Sequence, residues 1–423
     1  MTAQQRSADV VIVGAGISGS LLAALLADQD LAVTVLEQRY QRPRDGRFAG
    51  IVTDSDFDAL GLGRPPVDDL QPLQRVTAFT FQNGVTPPGR EISGAYAIRH
   101  DDLLTWLRSI ARDGGIILEQ AATVMEWRWQ DGAVAGVVTE PDATQWDARV
   151  VVLADESDPR LAEEPGLRPD WPPTQLMHIA KQHFEQRIEQ HIEQREDRRP
   201  TLDEARVGRF FSSRTTLEQT GFGMLIPWKT TSTLAVVMRL EDEMTSSRHI
   251  SEFVDEVRLH PAIAPAIDSL DPGAFVTEVV PIGGVAHPPR LSGDGVLILS
   301  DAVGLTHPLN RDGLSANVDV VKVAAATILD AGRAGDFSSI SLSRFDERVR
   351  ALVIDPLRHR AETASLPVDS AWPVTTRFQP LADLGHAYRA VDSDDARRRA
   401  VGQRPVSLRK RLEGLGRRIR HGD

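Results

Sequence analysis

Unbroken apolar runs and alternating segments mark out two kinds of element along the chain. Residues 10–13 are apolar and β-branched without a polar break, which predicts a strand buried on both faces. Residues 21–26 are rich in Ala and Leu and predict a helix. Residues 31–36 predict a second strand, ending at Glu37. Residues 40–56 are polar and turn-rich, 76–81 are strand-like and 96–100 are extended. Asp101 or Asp102 is placed to cap a helix over 103–112 that stops at Gly114-Gly115. Residues 116–118, 122–129 and 133–139 predict strands, with a hairpin turn at Asp131-Gly132, and 149–154 is another buried strand.

The second half mixes the two patterns. Residues 178–198 are charged, and Phe184, Ile188 and Ile192 recur at four-residue spacing, which predicts a helix with one apolar stripe and with His183 and His191 solvated. Residues 209–213, 221–227 and 233–239 predict strands of a mostly antiparallel sheet. A helix over 244–259 and a strand over 275–281 follow. A buried strand over 293–300 then leads into a long apolar helix over 314–331, and 338–363 is again helical. Beyond Leu366 the chain is irregular.

A β-α-β unit therefore opens the chain, and a buried strand followed by a helix returns near residue 295. The expected fold is α/β: a discontinuous Rossmann-type domain of residues 1–75, 96–165 and 285–335. A mostly antiparallel β-sheet substrate domain, residues 76–95 and 166–284, is inserted into it, and a helical C-terminal region, 336–423, ends in a basic tail. With 423 residues, two or three substructures are expected. A net charge of -12 argues against nucleic acid as a partner. No signal peptide or membrane span is apparent, so a cytoplasmic protein is expected. The chain has no cysteine, which excludes disulfides, thiolate-ligated clusters and dithiol redox chemistry. No metal site is expected.

The first candidate site lies in residues 9–38. Gly14-Ala15-Gly16-Ile17-Ser18-Gly19 is a complete G-x-G-x-x-G between a strand and a helix, with Glu37 at the end of the next strand. Gly14 allows the turn, Gly16 lets a pyrophosphate approach the backbone, and Gly19 lets helix and strand pack closely. The helix N-terminus offers free amides to the phosphate. A carboxylate at Glu37 suits both ribose hydroxyls and repels a ribose phosphate. These residues point to a dinucleotide and leave open which one.

Residues 294–322 carry a second motif, a buried strand followed by Asp301-Ala302, a loop through Pro308, and a helix near Gly313. This arrangement resembles the G-D-A motif of flavoproteins of the para-hydroxybenzoate hydroxylase fold. It is most similar to the geranylgeranyl reductase and FixC-type electron-transfer flavoprotein:quinone oxidoreductase family. The resemblance spans roughly residues 9–350 and implies FAD as cofactor. It implies FAD contacts at Gly14, Gly16, Ser18, Gly19, Glu37, Gln38, His100, Val124, Asp155, Asp301, Gly313 and Leu314. The chain departs from the family pattern at Ser300, where the family has Gly, and at Glu156 after Asp155. It departs again at His100, where alignment on Trp106-Leu107 puts the family's Arg, and at Ser315 and Asp45.

No second G-x-G-x-x-G follows a strand, so no separate NAD(P)H domain is expected. The resemblance implies an FAD-dependent reductase or dehydrogenase acting on a hydrophobic small molecule, in the setting of specialised metabolism. A flavin-dependent monooxygenase and a non-redox FAD-containing cyclase or ligand-binding protein are the alternatives. A ferredoxin-like partner or NAD(P)H is the candidate electron donor. His307, Asn310, Arg311 and Asp312, between the motif and its helix, are the candidate catalytic residues, with Phe222, Met224 and Trp228 as candidate pocket walls. Leu408, Leu412, Leu415 and Ile419 recur at helical spacing among arginines, a basic amphipathic pattern suited to peripheral membrane contact or an acidic partner.

Overall fold

The structure is a computed structural model that describes residues 4–38, 48–80, 90–154, 159–167, 171–186, 207–213, 221–228, 231–299, 303–305 and 314–358. In chain order the first elements are β1 (Gln5–Val13), α1 (Ile17–Leu26), β2 (Val33–Glu37), β3 (Phe48–Thr53), α2 (Asp54–Leu60), β4 (Leu70–Thr80), β5 (Arg90–Arg99) and α3 (His100–Asp113). They are followed by β6 (Ile117–Gln120), β7 (Thr123–Gln130), β8 (Ala133–Glu140), β9 (Thr144–Leu153) and α4 (Pro159–Glu163). The middle of the chain holds β10 (Leu176–Gln186), β11 (Val207–Ser213), β12 (Gly221–Trp228), β13 (Thr231–Arg239), α5 (Leu240–Thr245), α6 (Ile250–Arg258), α7 (Ala264–Ile267) and β14 (Leu270–Pro281). The last described elements are β15 (Ser292–Gly293), β16 (Val296–Ile298), α8 (Leu314–Ala334) and α9 (Ser339–Val349).

The first sheet runs β15-β16-β9-β1-β2-β6, parallel except at β15, with the β7–β8 hairpin attached through β8 to β9. β1 lies at its centre, with Val10 opposite Val33 on one side and Val150 on the other. Both faces of these strands are covered, so Val10, Val11, Ile12 and Val150 to Val152 are fully buried. That burial is why the sequence shows runs rather than alternation. The chain leaves β1 towards β2 and later returns on the other side as β9. The carboxyl end of β1 is therefore a switch point, where open α/β sheets form a crevice.

The second sheet runs β14-β10-β13-β12-β11-β4-β5-β3 and is antiparallel except where β11 meets β4. Helices α6 and α7 cover one face, with Phe253, Val254 and Ile263 packed on Phe184, Leu234 and Val236. The other face holds two apolar clusters built from strand residues and Ile282. One is Leu73, Ala97 and Ile226 with Ile51, Met224 and Trp228; the other is Met177 and Val237 with Ile179, Val280 and Ile282. This sheet begins earlier than the expected boundary at residue 76, because β3 and all of β4 pair within it.

Four local expectations are corrected. Residues 176–186 form strand β10 between β13 and β14, not the start of a charged helix; residues 187–198 lie outside the described residues. The polar side chains that suggested a solvated helix have partners in or beside the sheet instead: His178 with Glu243, Lys181 with Glu278, and His183 with Thr233. His183 is therefore buried rather than solvated. Helix α3 starts at His100 with Arg99 as its N-cap, so neither Asp101 nor Asp102 caps it; the Asp102 carboxylate is taken by the Arg99 guanidinium at 2.7 and 2.9 Å. The helix expected over 244–259 is two, because His249 and Glu252 form a capping box that starts α6 afresh. Finally, the strand expected over 293–300 is broken at Asp294-Gly295, where Gly295 has φ +70° and a Cβ would stand 2.0 Å from the Val134 carbonyl oxygen.

Candidate functional site

The loop from β1 to α1 is shaped by its glycines. Gly14 has φ 97°, and its amide donates to the Leu36 carbonyl at 2.8 Å, which fixes the turn against β2. A Cβ on Gly19 would lie 2.0 Å from the Gly14 carbonyl oxygen, so helix and strand pack only with glycine there. Gly16 is different. It is the N-cap of α1 in extended geometry, and a Cβ on it would meet nothing within 4 Å. Open space at the amide end of a helix, over a backbone with no side chain, is what a diphosphate requires. Ser18 lies buried in the first turn of the same helix.

The other end of this crevice is set by β2. The Ala15 amide donates to Glu37 Oε2 at 2.9 Å, and the Ala122 amide donates to the Glu37 carbonyl at 2.9 Å. Val13, Leu36, Gln38, Ala122, Thr123, Val124 and Leu161 line a small pocket beside it. The structure thus brings Gly14, Gly16, Ser18, Gly19, Glu37, Gln38 and Val124 together, and the arrangement fits the adenosine diphosphate half of FAD. Arg108 of α3 joins this group without any signal in the sequence. Its guanidinium donates to the Ala15 carbonyl, and burial lowers its basicity while Glu37 and Asp101 oppose that shift.

The second half of the site is described only at its edges. Asp155, Asp301, His307, Asn310, Arg311, Asp312 and Gly313 lie outside the described residues. Their flanks converge on the crevice. The Ala154 amide donates to the Val13 carbonyl and the Leu299 amide to the Leu153 carbonyl, each at 2.8 Å, so β9 and β16 end beside β1. Leu314 opens α8. His100 opens α3 with Nδ1 3.5 Å from Asp101 Oδ1, and its neighbour Arg99 stacks 4.2 Å over the Trp228 ring of the second sheet. The segment after β14 binds the two halves together. The Gly284 amide donates to the Gly304 carbonyl at 2.9 Å, and a Cβ on Gly284 would lie 2.1 Å from the Val303 carbonyl oxygen. The segment that follows β14 of the second sheet therefore packs against Val303 and Gly304, just after Asp301-Ala302 of the second motif. Among the described residues, no group of three or more His, Asp or Glu is placed to hold a metal, and no helix is long and apolar enough to cross a membrane.

His183 lies on the face of the second sheet away from α6 and α7. Burial, with a smaller contribution from Lys181, holds its imidazole below the ordinary value of about 6.5. Below about pH 6.5 the unfolded chain takes up a proton that the folded chain resists. The stability contributed by neutral His183 is therefore complete above that pH and is lost as the pH falls, until the folded group also titrates. His183→Asn is expected to reduce the drop in melting temperature between about pH 7.5 and about pH 5.5. An unchanged drop in parallel thermal melts would contradict this.

Comparison with known proteins agrees with this geometry. A family model described as NAD(P)-binding Rossmann-like domain matches residues 12–43. Protein FixC of Salmonella typhimurium is 28% identical over 96% of this chain and 93% of its own length. The probable electron transfer flavoprotein-quinone oxidoreductase YdiS of Escherichia coli is 25% identical over 83% of each chain. Among solved structures, a geranylgeranyl bacteriochlorophyll reductase-like protein from Thermoplasma acidophilum superposes with a TM-score of 0.69 at 14% identity, covering 92% of this chain and 98% of that one. Halogenase PltM in complex with FAD gives a TM-score of 0.64 at 16% identity, covering 85% and 76%. The chain is thus similar over nearly its whole length to FixC-type proteins, and its fold is that of FAD-binding oxidoreductases.

Proposed function

We propose that the protein moves electrons between FAD and a hydrophobic small molecule held at the face of the second sheet that lies away from α6 and α7, as a reductase or dehydrogenase. The observation that carries this reading is the face away from α6 and α7, an apolar cluster of Leu73, Ala97 and Ile226 with Met224 and Trp228, in a sheet whose segment after β14 meets Gly304 beside the second motif. Bound FAD would supply the two-electron chemistry. The residues of the chain do the rest. Gly14 to Gly19 hold the diphosphate against the α1 amides, Glu37 holds the ribose, and Gln38 and Val124 border the adenine. His100, Asp155, Asp301, Gly313 and Leu314 serve the flavin half, and His307, Asn310, Arg311 and Asp312 are the groups available for proton transfer or for holding a substrate anion. The apolar wall excludes water from the reacting pair.

A chain with no cysteine cannot carry a thiolate-ligated cluster, so single electrons must arrive from a partner. The name of the relative YdiS supports an electron transfer flavoprotein as donor and a quinone as acceptor; a ferredoxin-like protein and NAD(P)H are the other donors to test. Anaerobic mixing of the FAD-loaded protein with each donor, followed by a quinone or an enone, is the direct experiment. The visible flavin band is expected to bleach with a donor and return with the organic acceptor. A protein that takes up no FAD on incubation contradicts the reading. Recovery of the band only with oxygen, with an oxygen atom entering the substrate, would make the protein a monooxygenase instead.

A further inference from the structure

Strand register shows which side chains share the face of the second sheet opposite α6 and α7. His183 of β10 stands opposite Thr233 of β13, and Thr233 stands opposite Ile226 of β12. All three therefore point to the side away from α6 and α7, and Ile226 packs there with Leu73 and Ala97. Polar side chains on so apolar a face need partners, and Lys181 has one in Glu278. His183 is satisfied at one nitrogen only. Its Nδ1 lies 2.9 Å from Thr233 Oγ1, whereas Nε2 is buried with no hydrogen-bond partner among the described residues, in a residue only 5% exposed. Buried polar atoms are rarely left unpaired, so each calls for an explanation, and a bound molecule that supplies the partner is one.

We propose that His183 is the polar anchor of the substrate cleft, its Nε2 holding one neutral oxygen, a carbonyl or a hydroxyl, of an otherwise apolar molecule. The inference rests on the preceding reading of this face as the substrate wall. Thr233 fixes the ring and can donate to Nδ1 or accept from it, so Nε2 can carry the proton towards a carbonyl or accept one from a hydroxyl. Among the described residues of β10, Lys181 is already neutralised by Glu278, so it offers no free cation to a carboxylate.

Three probes of nearly equal shape test this: 2-acetylnaphthalene, 1-(2-naphthyl)ethanol and 2-ethylnaphthalene, offering a carbonyl, a hydroxyl and neither. Each is titrated into the FAD-incubated full chain, wild type, His183→Phe and His183→Asn, with tryptophan fluorescence as the readout. One oxygenated probe is expected to bind wild type about tenfold more tightly than 2-ethylnaphthalene. That advantage should vanish in His183→Phe and return at least in part in His183→Asn, while 2-ethylnaphthalene binds all three proteins alike. The proposal is overturned if the advantage survives His183→Phe, if wild type does not discriminate, or if it binds none of the probes. The flavin spectrum of the same samples reports separately on the cofactor: a chain without FAD fails that reading, and a chain that holds FAD and ignores the oxygen fails this one.

Discussion

Gly16→Thr is expected to weaken FAD binding by about 100-fold or more while leaving the melting temperature of the FAD-free protein nearly unchanged. The backbone at residue 16 is extended rather than left-handed, with φ −66° and ψ −170°, so a threonine fits it without strain. Thr and Gly are also similar as helix N-caps, so α1 starts equally well. The new side chain meets no protein atom near its Cβ, because a Cβ there has nothing within 4 Å. It would meet the diphosphate instead, forcing it off the α1 amides. Each charge-assisted hydrogen bond lost contributes about 1.5–3 kcal/mol, so one or two suffice for the expected effect. Gly19→Ala provides the contrast. Its Cβ would fall 2.0 Å from a backbone oxygen, so it should cost about 1–3 kcal/mol or more of stability in the FAD-free protein as well. Equilibrium titration with FAD and thermal melts of both variants separate the two roles. A Gly16→Thr protein that binds FAD as wild type does would place the diphosphate elsewhere.

The parts that sequence pattern made legible are those where one environment acts on a whole element. β1, β2 and β9 are sealed on both faces, so burial wrote an apolar run into each, and Gly19 is demanded by its contact with the Gly14 carbonyl five residues earlier. β10 was not legible, because its two faces meet different surroundings. Ala180 and Phe184 face α6 and α7, while Ile179, Lys181 and His183 face the other way with partners on β13 and β14. Pairing across strands hides charge that a linear reading assigns to solvent. Arg108 was missed for the same reason: what makes it part of the site is the Ala15 carbonyl, 93 residues earlier in the chain. The start of the second sheet at β3 was obscured because residues 40–56 carry turn formers, and only the antiparallel pairing of β3 with β5 makes residues 48–53 a strand.

The second large effect concerns the helix that follows the flavin motif. Asp330→Ala is expected to destabilise the protein by about 3–5 kcal/mol, and Arg348→Met by clearly less. Both residues belong to the junction of α8 and α9. Arg348 is 6% exposed and reaches Asp330 Oδ2 at 2.9 Å and Thr327 Oγ1 at 3.1 Å, and Thr327 in turn donates to the Val323 carbonyl. Removing Asp330 leaves the Arg348 guanidinium buried, with the neutral Thr327 hydroxyl as its remaining acceptor among the described residues, and an uncompensated buried charge is the costly case. Removing Arg348 leaves Asp330 partly exposed and still 3.3 Å from Arg333, so its charge keeps both water and a counterion. Met also fills much of the volume of the arginine stem. Because α8 opens directly after the second-motif loop that we propose serves the flavin, the same loss should loosen FAD: Asp330→Ala is expected to raise its dissociation constant more than Arg348→Met does. Urea unfolding of both variants and of the double variant, with FAD titrations alongside, checks the order. An Arg348→Met protein as unstable as Asp330→Ala would mean that the contacts of the guanidinium, rather than the buried charge, hold the two helices together.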